Sequence, residues 1–461
     1  MSDNRDNENS DYPKLLERKV ERVLVPFQAF IRNQTTGSIL LIVCTIIALI
    51  IQNSPFAHQY QSLIHMPIGF VFGDRSFEMS VQHWINDGLM ALFFFVLGLE
   101  IKREILVGEL KDPQQSFPVI AAALGGMLIP AAIFFAINAG STTARGWGIP
   151  MATDAAFAVG VLALLGRHIP IALVTFLTAL AIIDDLGAIL VIAVFYTETI
   201  SLPYLSLAIL FLVALTGCNA FGFRHPAVYI LGGVLVWAAT LGSGVHATVA
   251  GILVALIVPA RPKRGPKWFV RHTRKLINKF ENIEEKSTQS ILGEEEQHAA
   301  LESVQDNVEK ATTPLRRWEH ALETPVLLLV MSVFALANAG IPLSLEALST
   351  LWTDPLSLGI ILGLLLGKSI GISIFAWLVL RLGLGRLSEG VTIRHIIGIG
   401  LLGGMGFTMS IFVAGLGFAN SPEDLVSAKT AILLASLIAG LAGYLWLLFC
   451  SDNSSDAASR R

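Results

Sequence analysis

Asp184 and Asp185 stand side by side in Ala-Leu-Ala-Ile-Ile-Asp-Asp-Leu-Gly-Ala-Ile-Leu-Val-Ile, residues 179–192, inside an otherwise apolar run. Between Pro170 and Tyr196 there is no other Asp, Glu, Lys, Arg or His. At about 1.5 Å of rise per residue, those roughly 27 residues exceed a hydrocarbon core of about 30 Å, so the run reads as a membrane-spanning helix. Asp184 falls roughly 21 Å along it, near the bilayer midplane, where an ionised Asp costs on the order of 2.5 to 3.5 kcal/mol. A pair kept at that cost points to binding a cation or a proton. The alternative is a protonated pair that only hydrogen-bonds neighbouring helices, yet packing calls for neither a doubled nor a central acid.

Three further features share that depth. Thr153 and Asp154 lie in Gly-Ile-Pro-Met-Ala-Thr-Asp-Ala-Ala-Phe, midway between Arg145 and Arg167. Pro150 lacks a backbone donor and, with Gly148, favours a break in the helix there. Lys368 sits in Gly-Leu-Leu-Leu-Gly-Lys-Ser-Ile-Gly-Ile, too far from either interface to snorkel, so its expected partner is a carboxylate. Gly398, Gly400, Gly403, Gly404 and Gly406 crowd one short stretch, enough to unwind a helix whose freed backbone faces protein or water. Lys368 with one Asp can be a structural ion pair. The remaining carboxylates, with Thr153 and unwound carbonyls, make a hard oxygen set suited to Na⁺ or Li⁺.

The elements that must hold these residues follow from hydropathy. The chain has 461 residues, 54% of them hydrophobic and 15% charged, with the charges gathered in blocks between long apolar runs. About twelve spans are expected, near 36–52, 84–105, 117–138, 148–165, 170–196, 203–221, 226–241, 245–260, 324–340, 355–381, 393–418 and 425–450. The fold class is therefore an all-α polytopic membrane protein. Spans three to five and ten to twelve each place an interrupted helix second and start on opposite sides, so they read as inverted repeats, with spans four and eleven broken and crossing at the midplane.

Residues 1–35 form a polar tail without the hydrophobic core of a signal peptide, so no cleavage is expected. Arg18, Lys19, Arg22, Arg32, Lys102, Arg103, Lys111, Arg167, Arg224, Arg381, Arg386 and Arg394 fall on one side with the cluster from Arg261 to Arg317, and Arg75, Arg145 and Lys429 on the other. The positive-inside rule then puts both termini, 1–35 and 451–461, in the cytoplasm. Between the membrane regions 36–260 and 324–450 lies a long cytoplasmic loop, 261–323. It begins basic and turns acidic, and Phe269, Leu276, Phe280 and Ile283 share one helical face, as in a helix lying on anionic lipid; a solvated linker is the alternative. The outer loop 54–82 contains Phe-Val-Phe-Gly-Asp-Arg-Ser-Phe, which suggests a hairpin able to pair with a second copy. Cys44, Cys218 and Cys450 lack the spacing of disulfides or metal knuckles and read as packing residues. No cofactor, nucleotide or nucleic acid is called for; the expected partners are membrane lipid and a homodimer.

Seven stretches together resemble the NhaA-type bacterial sodium/proton antiporters from about Gly37 to Leu448. They are Trp84-Ile-Asn-Asp-Gly-Leu-Met-Ala, Gly98-Leu-Glu-Ile-Lys-Arg-Glu, Ala152-Thr-Asp-Ala-Ala-Phe-Ala, Leu180-Ala-Ile-Ile-Asp-Asp-Leu-Gly-Ala-Ile, Gly244-Val-His-Ala-Thr, Phe334-Ala-Leu-Ala-Asn-Ala-Gly and Gly404-Met-Gly-Phe-Thr-Met-Ser-Ile-Phe. Inverted repeats are known in that family, so the repeat reading is not independent of the resemblance. The resemblance implies a secondary transporter of the inner membrane, not an enzyme, that exchanges internal Na⁺ or Li⁺ for a larger number of external protons in a pH-dependent way. It makes Asp185 the main cation ligand, Asp184 its proton-carrying neighbour and Lys368 the salt-bridge partner of Asp184. Thr153 and Asp154 would line the crossing, and Asp154 would offset the opposed dipole ends. Glu100 and Glu104 would belong to the cytoplasmic entrance, Asp87 to the outer part of span two, and Glu319 and His320 to a region linked with pH activation. His246 reads as a satisfied core histidine. Glu323 stands where familiar members carry a second His, and the loop before it is longer than expected, which bears on the pH set-point and not on the transport chemistry. A channel has no need of proton-binding carboxylate pairs, and a symporter for an organic anion would want a further polar cavity.

Overall fold

A computed structural model of the chain describes residues 34–459, apart from 73–74, 109–111, 167–168, 198, 285–294, 344–348 and 389. The tail with Arg18, Lys19, Arg22 and Arg32, and also Lys111, Arg167, Glu285, Glu294 and the turn Gly73-Asp74, lie outside the described residues.

Span one is Gln34–Gln52, span three Pro113–Asn138, span five Ile171–Phe195, span six Leu202–Ala220, span seven Pro226–Ser243, span eight Thr248–Ile257 and span twelve Pro422–Ser459. Span two runs through Val81–His83, a π-helical turn Trp84–Leu89 and Met90–Val107. Span four joins a 3₁₀ segment, Thr142–Met151, to Ala155–Leu164 at an angle of 42°; span eleven joins Ile393–Gly403 to Phe407–Gly417 at 45°. Among the described residues seven helices are long and apolar enough to cross a bilayer unaided. The two bent pairs, the charged span two, span one and the short span eight complete an all-α polytopic fold of about twelve spans.

Several spans start at a Pro for a local reason. Asp112 caps Pro113–Asn138 by accepting from the Gln114 N–H (3.1 Å), and Asp354 caps span ten by accepting from Leu356 (3.2 Å) and Ser357 (3.1 Å). Proline at the first helical position has no N–H to leave unpaired. Along the flanks, large apolar side chains point outward, among them Leu190, Val194, Leu210, Val213, Leu231 and Leu441. That outer belt is where lipid replaces water as the solvent.

Span nine begins earlier than hydropathy alone indicates. The helix is continuous from Pro314 to Asn338, with Thr313 as its cap, so Glu319, His320 and Glu323 lie on the first turns of the span and not in the preceding loop. Its first three turns carry Arg316, Arg317, Glu319 and Glu323, which an apolar window rejects. In the long loop, a first loop helix (Pro266–Glu284) packs against a second (Glu295–Ala311). The face carrying Phe269, Leu276 and Phe280 is half-buried, while Ala300 and Asn307 of the second helix are buried. The face expected to meet lipid is therefore turned to the partner helix; the side chain of Ile283 lies outside the described residues. In the outer loop, β1 (Pro67–Phe72) pairs antiparallel with β2 (Arg75–Ser80).

Spans three and ten meet through glycines. A Cβ on Gly125 would sit 2.3 Å from the Gly371 carbonyl oxygen, and one on Gly371 2.1 Å from that of Gly125. Only a missing side chain on both helices permits this approach, the usual device for close packing in lipid. Farther along span ten, Gly363 and Gly367 let it lie against Pro150 and Pro130. These contacts press Lys368, which follows a π-helical turn at Gly363–Gly367, into the centre of the bundle.

Candidate cation and proton site

The two helix breaks satisfy each other. Asp154 N–H donates to the Met405 carbonyl at 2.7 Å, and the Thr153 hydroxyl lies 3.1 Å from the Gly403 carbonyl. Backbone groups freed by unwinding therefore find partners across the crossing, as they must away from water. The Ser410 hydroxyl donates to the Ile149 carbonyl (2.8 Å), and the Phe407 N–H to the Ser436 hydroxyl (3.1 Å).

Gly403, Gly404 and Gly406 serve here by their size. None has a positive φ, whereas a Cβ on Gly404 would meet the Leu364 carbonyl at 2.5 Å and one on Gly403 the Ile372 side chain at 2.8 Å. The unwound strand can thus lie directly on span ten.

Asp154 holds two helix starts at once. Its Oδ1 accepts from the Phe157 N–H of span four (3.1 Å), and its Oδ2 accepts from the Thr408 N–H of span eleven (3.0 Å) and from the Thr408 hydroxyl. Each start carries about half a positive charge, so one carboxylate balances both. Thr408 is a site residue that sequence reasoning did not single out. Its only signal is its place two residues after Gly406, in the first turn after a break.

Asp184 and Lys368 are both fully buried. Lys368 Nζ lies 2.5 Å from Asp184 Oδ2, and the Thr153 hydroxyl 2.7 Å from the same oxygen. The other oxygen, Asp184 Oδ1, has no hydrogen-bond partner among the described residues, nor has Asp185 Oδ1. Asp185 is 3% exposed, and among the described residues it makes no hydrogen bond or ion pair. It lies within electrostatic reach of Asp184, Asp154 and Lys368 and, more weakly, of Glu100. Unpartnered buried carboxylate oxygens are costly, and a desolvated cation or a proton is what they lack. Among the described residues no three His, Cys, Asp or Glu side chains are grouped so as to hold a metal ion by themselves. A transported ion here would draw on carboxylate, hydroxyl and carbonyl oxygens together, which suits a cargo that must leave again.

Replacing Lys368 by Ala leaves the buried Asp184 carboxylate without its cation, a change that costs about 3 to 5 kcal/mol when the charge stays. Only the ionised carboxyl needs the ammonium. Above the unfolded-state range of Asp, near pH 4, the variant's folded form retains a proton that its unfolded form releases, so its stability falls as pH rises. Melting temperatures in detergent at pH 5 and pH 8.5 should show a deficit against the parent that is larger at pH 8.5.

Nearer the C-terminal end of span two, Arg103 gathers three acids. Its Nη1 is 2.5 Å from Glu104, its Nε 2.6 Å from Glu319 on span nine, and its Nη2 3.7 Å from Glu100. Glu319 is thus joined to Glu100 and Glu104 through Arg103, while His320 and Glu323 are exposed. Arg103 is the second residue that sequence reasoning missed, since nothing in the chain announces a partner 216 residues away. Near the N-terminal end of span two, Asp87 pairs with His83 at 2.7 Å. His246 Nε2 lies 3.1 Å from the Tyr196 carbonyl and ties down the end of span five.

Buried acids that keep unpartnered oxygens among the described residues, at the crossing of two broken helices inside a bundle with an apolar outer belt, define a membrane transporter of small cations. The chain matches the family model Na+/H+ antiporter 1 over residues 28–447. It is 46% identical over 441 residues to Na(+)/H(+) antiporter NhaA 1 of Saccharophagus degradans, covering 96% of this chain and 95% of the relative. It is 44% identical to Na(+)/H(+) antiporter NhaA of Sulfurimonas denitrificans (95% and 98%) and to Na(+)/H(+) antiporter NhaA 2 of Psychromonas ingrahamii (100% and 95%). The chain belongs to the Na+/H+ antiporter 1 family.

Proposed function

We propose that this protein exchanges internal Na⁺ or Li⁺ for external protons across the cell inner membrane, with both termini in the cytoplasm. More protons enter than cations leave, so exchange is electrogenic, and its rate depends on pH; the result is control of cell sodium and pH. The observation that supports this most is the pair of unpartnered oxygens, Asp184 Oδ1 and Asp185 Oδ1, buried beside Thr153. Asp185 is the main cation ligand, Asp184 carries a proton in exchange for its contact with Lys368, and Asp154 with Thr408 keeps the crossing neutral. Glu100, Glu104 and Glu319, gathered by Arg103, form the inner entrance and set the pH response together with His320 and Glu323. No cofactor takes part. The outer hairpin, 54–82, pairs with a second copy to make a homodimer.

Everted membrane vesicles test this. With an acid interior, added Na⁺ should dissipate the pH gradient as protons leave in exchange. In proteoliposomes, a membrane potential that drives positive charge in the proton direction should accelerate exchange. A gradient that ignores Na⁺ would refute antiport, and a rate that ignores the potential would refute the unequal stoichiometry.

A further inference from the structure

The first loop helix, Pro266–Glu284, presents two unlike faces. Phe269, Leu276 and Phe280 are half-buried against the second loop helix. On the opposite side Lys267, Arg271, Arg274, Lys275 and Lys279 recur at spacings of three and four, all exposed and none in an ion pair among the described residues. Val270 and Ile277 border this face and are 53% and 50% exposed. Two acids farther along the loop are engaged elsewhere. On the second loop helix and beyond, Asp306 pairs with Lys310 and Glu309 with Arg317.

The hairpin is tied to the bilayer at its base. Pro259, two residues past the end of span eight, accepts from the Leu315 N–H at the start of span nine (3.2 Å), and the Arg264 N–H donates to the Lys310 carbonyl (2.9 Å). Between Ile257 and Pro266 there are too few residues to carry the helix more than about 30 Å from the end of span eight. A cationic face with an apolar edge, tethered this close, has the makeup of an interfacial helix, and its complement is an anionic lipid surface.

We propose that the face of Lys267, Arg271, Arg274, Lys275 and Lys279 docks on anionic phospholipid headgroups, with Val270 and Ile277 entering the headgroup boundary. Each cation held near such a surface favours the docked state by about fivefold, so the set acts as a strong but salt-sensitive clasp. The apolar face stays on the second loop helix. The proposal does not rest on ion exchange.

The test uses the full chain with Cys44, Cys218 and Cys450 replaced by Ala and an environment-sensitive dye on Val270→Cys. It is reconstituted in lipid nanodiscs of phosphatidylcholine containing brominated chains, with or without phosphatidylglycerol. Both faces of a disc carry the same headgroups, so the orientation of the protein does not enter. Quenching should be at least about twofold greater with phosphatidylglycerol, return to the zwitterionic value in about 1 M salt, and be lost when the five basic residues are changed to Gln. Equal quenching in both lipids would overturn the proposal. So would stronger quenching of a dye on Leu301→Cys of the second loop helix, because the wrong face would then be the one that docks. Retention of Na⁺-dependent exchange by the five-residue variant shows that loss of quenching is not loss of fold.

Discussion

Asp185→Asn should abolish exchange while leaving the fold intact. Asp185 makes no hydrogen bond or ion pair among the described residues, and its Oδ1 is buried without a partner, so the isosteric amide removes no structural contact. Melting temperature should stay near the parent value or rise, since an unpaired buried acid is a liability. Exchange is different. An amide carries no full charge to replace the cation's hydration shell and no titratable proton to return. Loss of an outer-shell partner costs 10- to 100-fold in metal affinity at other sites, and loss of a direct ligand should exceed about a hundredfold. Na⁺-driven collapse of the pH gradient in everted vesicles gives the rate, and the detergent melt gives the fold. Near-normal collapse in the variant would overturn the assignment of Asp185 as ligand.

The contrast with Asp154 and Asp184 explains why the neighbouring acids are not interchangeable. Asp154 has both oxygens engaged with two helix starts, and Asp184 has one oxygen held by Lys368 and Thr153. Substitution of either disturbs structure and transport together. Asp185 separates them.

Hydropathy made the spans legible because lipid demands long apolar helices and allows little else. It failed at the inner end of span nine, where Arg316, Arg317, Glu319 and Glu323 make a helix look like a loop. In span four, Pro150 and Gly148 signalled a break, and the chain does leave the helix at Ala152. The charges at the site were readable for an energetic reason: ionisable groups are costly in the middle of long apolar runs, so Asp184, Asp185 and Lys368 stand out. Their partners were less so. Which carboxylate Lys368 takes, that Thr408 shares Asp154, and that Arg103 draws Glu319 to Glu104 all depend on helices brought together from far along the chain. The second loop helix escaped notice because its sequence, Glu-Glu-Gln-His-Ala-Ala-Leu-Glu, is polar apart from a narrow row. Once that row takes the apolar face of the first loop helix, the basic face is what remains for lipid.

Apparent Na⁺ affinity should rise with pH along the acidic limb, by about tenfold per unit for each proton displaced. Under the proposed exchange the free oxygens of Asp184 and Asp185 would serve either ion, so Na⁺ would bind only after protons leave, and a proton arriving from the other side would expel it. Linkage fixes the slope: one displaced proton is worth about 1.36 kcal/mol per pH unit, and two would give roughly a hundredfold rise. Because the acids interact, the midpoints belong to the pair and not to either residue. Once both acids are deprotonated the affinity levels off. Turnover then falls, because protons become too scarce to displace the ion, and the rate profile is bell-shaped without a separate sensor. Under the same proposal the cluster of Arg103, Glu100, Glu104 and Glu319 would act on this from a distance, by changing the field through which ions enter. Replacing Glu319, His320 or Glu323 should therefore shift the bell along the pH axis and leave the slope of its acidic limb unchanged. Calorimetry or titrated exchange at several pH values, in the parent and these variants, measures both quantities. An affinity independent of pH across the acidic limb would remove competition as the mechanism, and a changed slope in the Glu319 variant would place that residue among the groups that exchange protons for the ion.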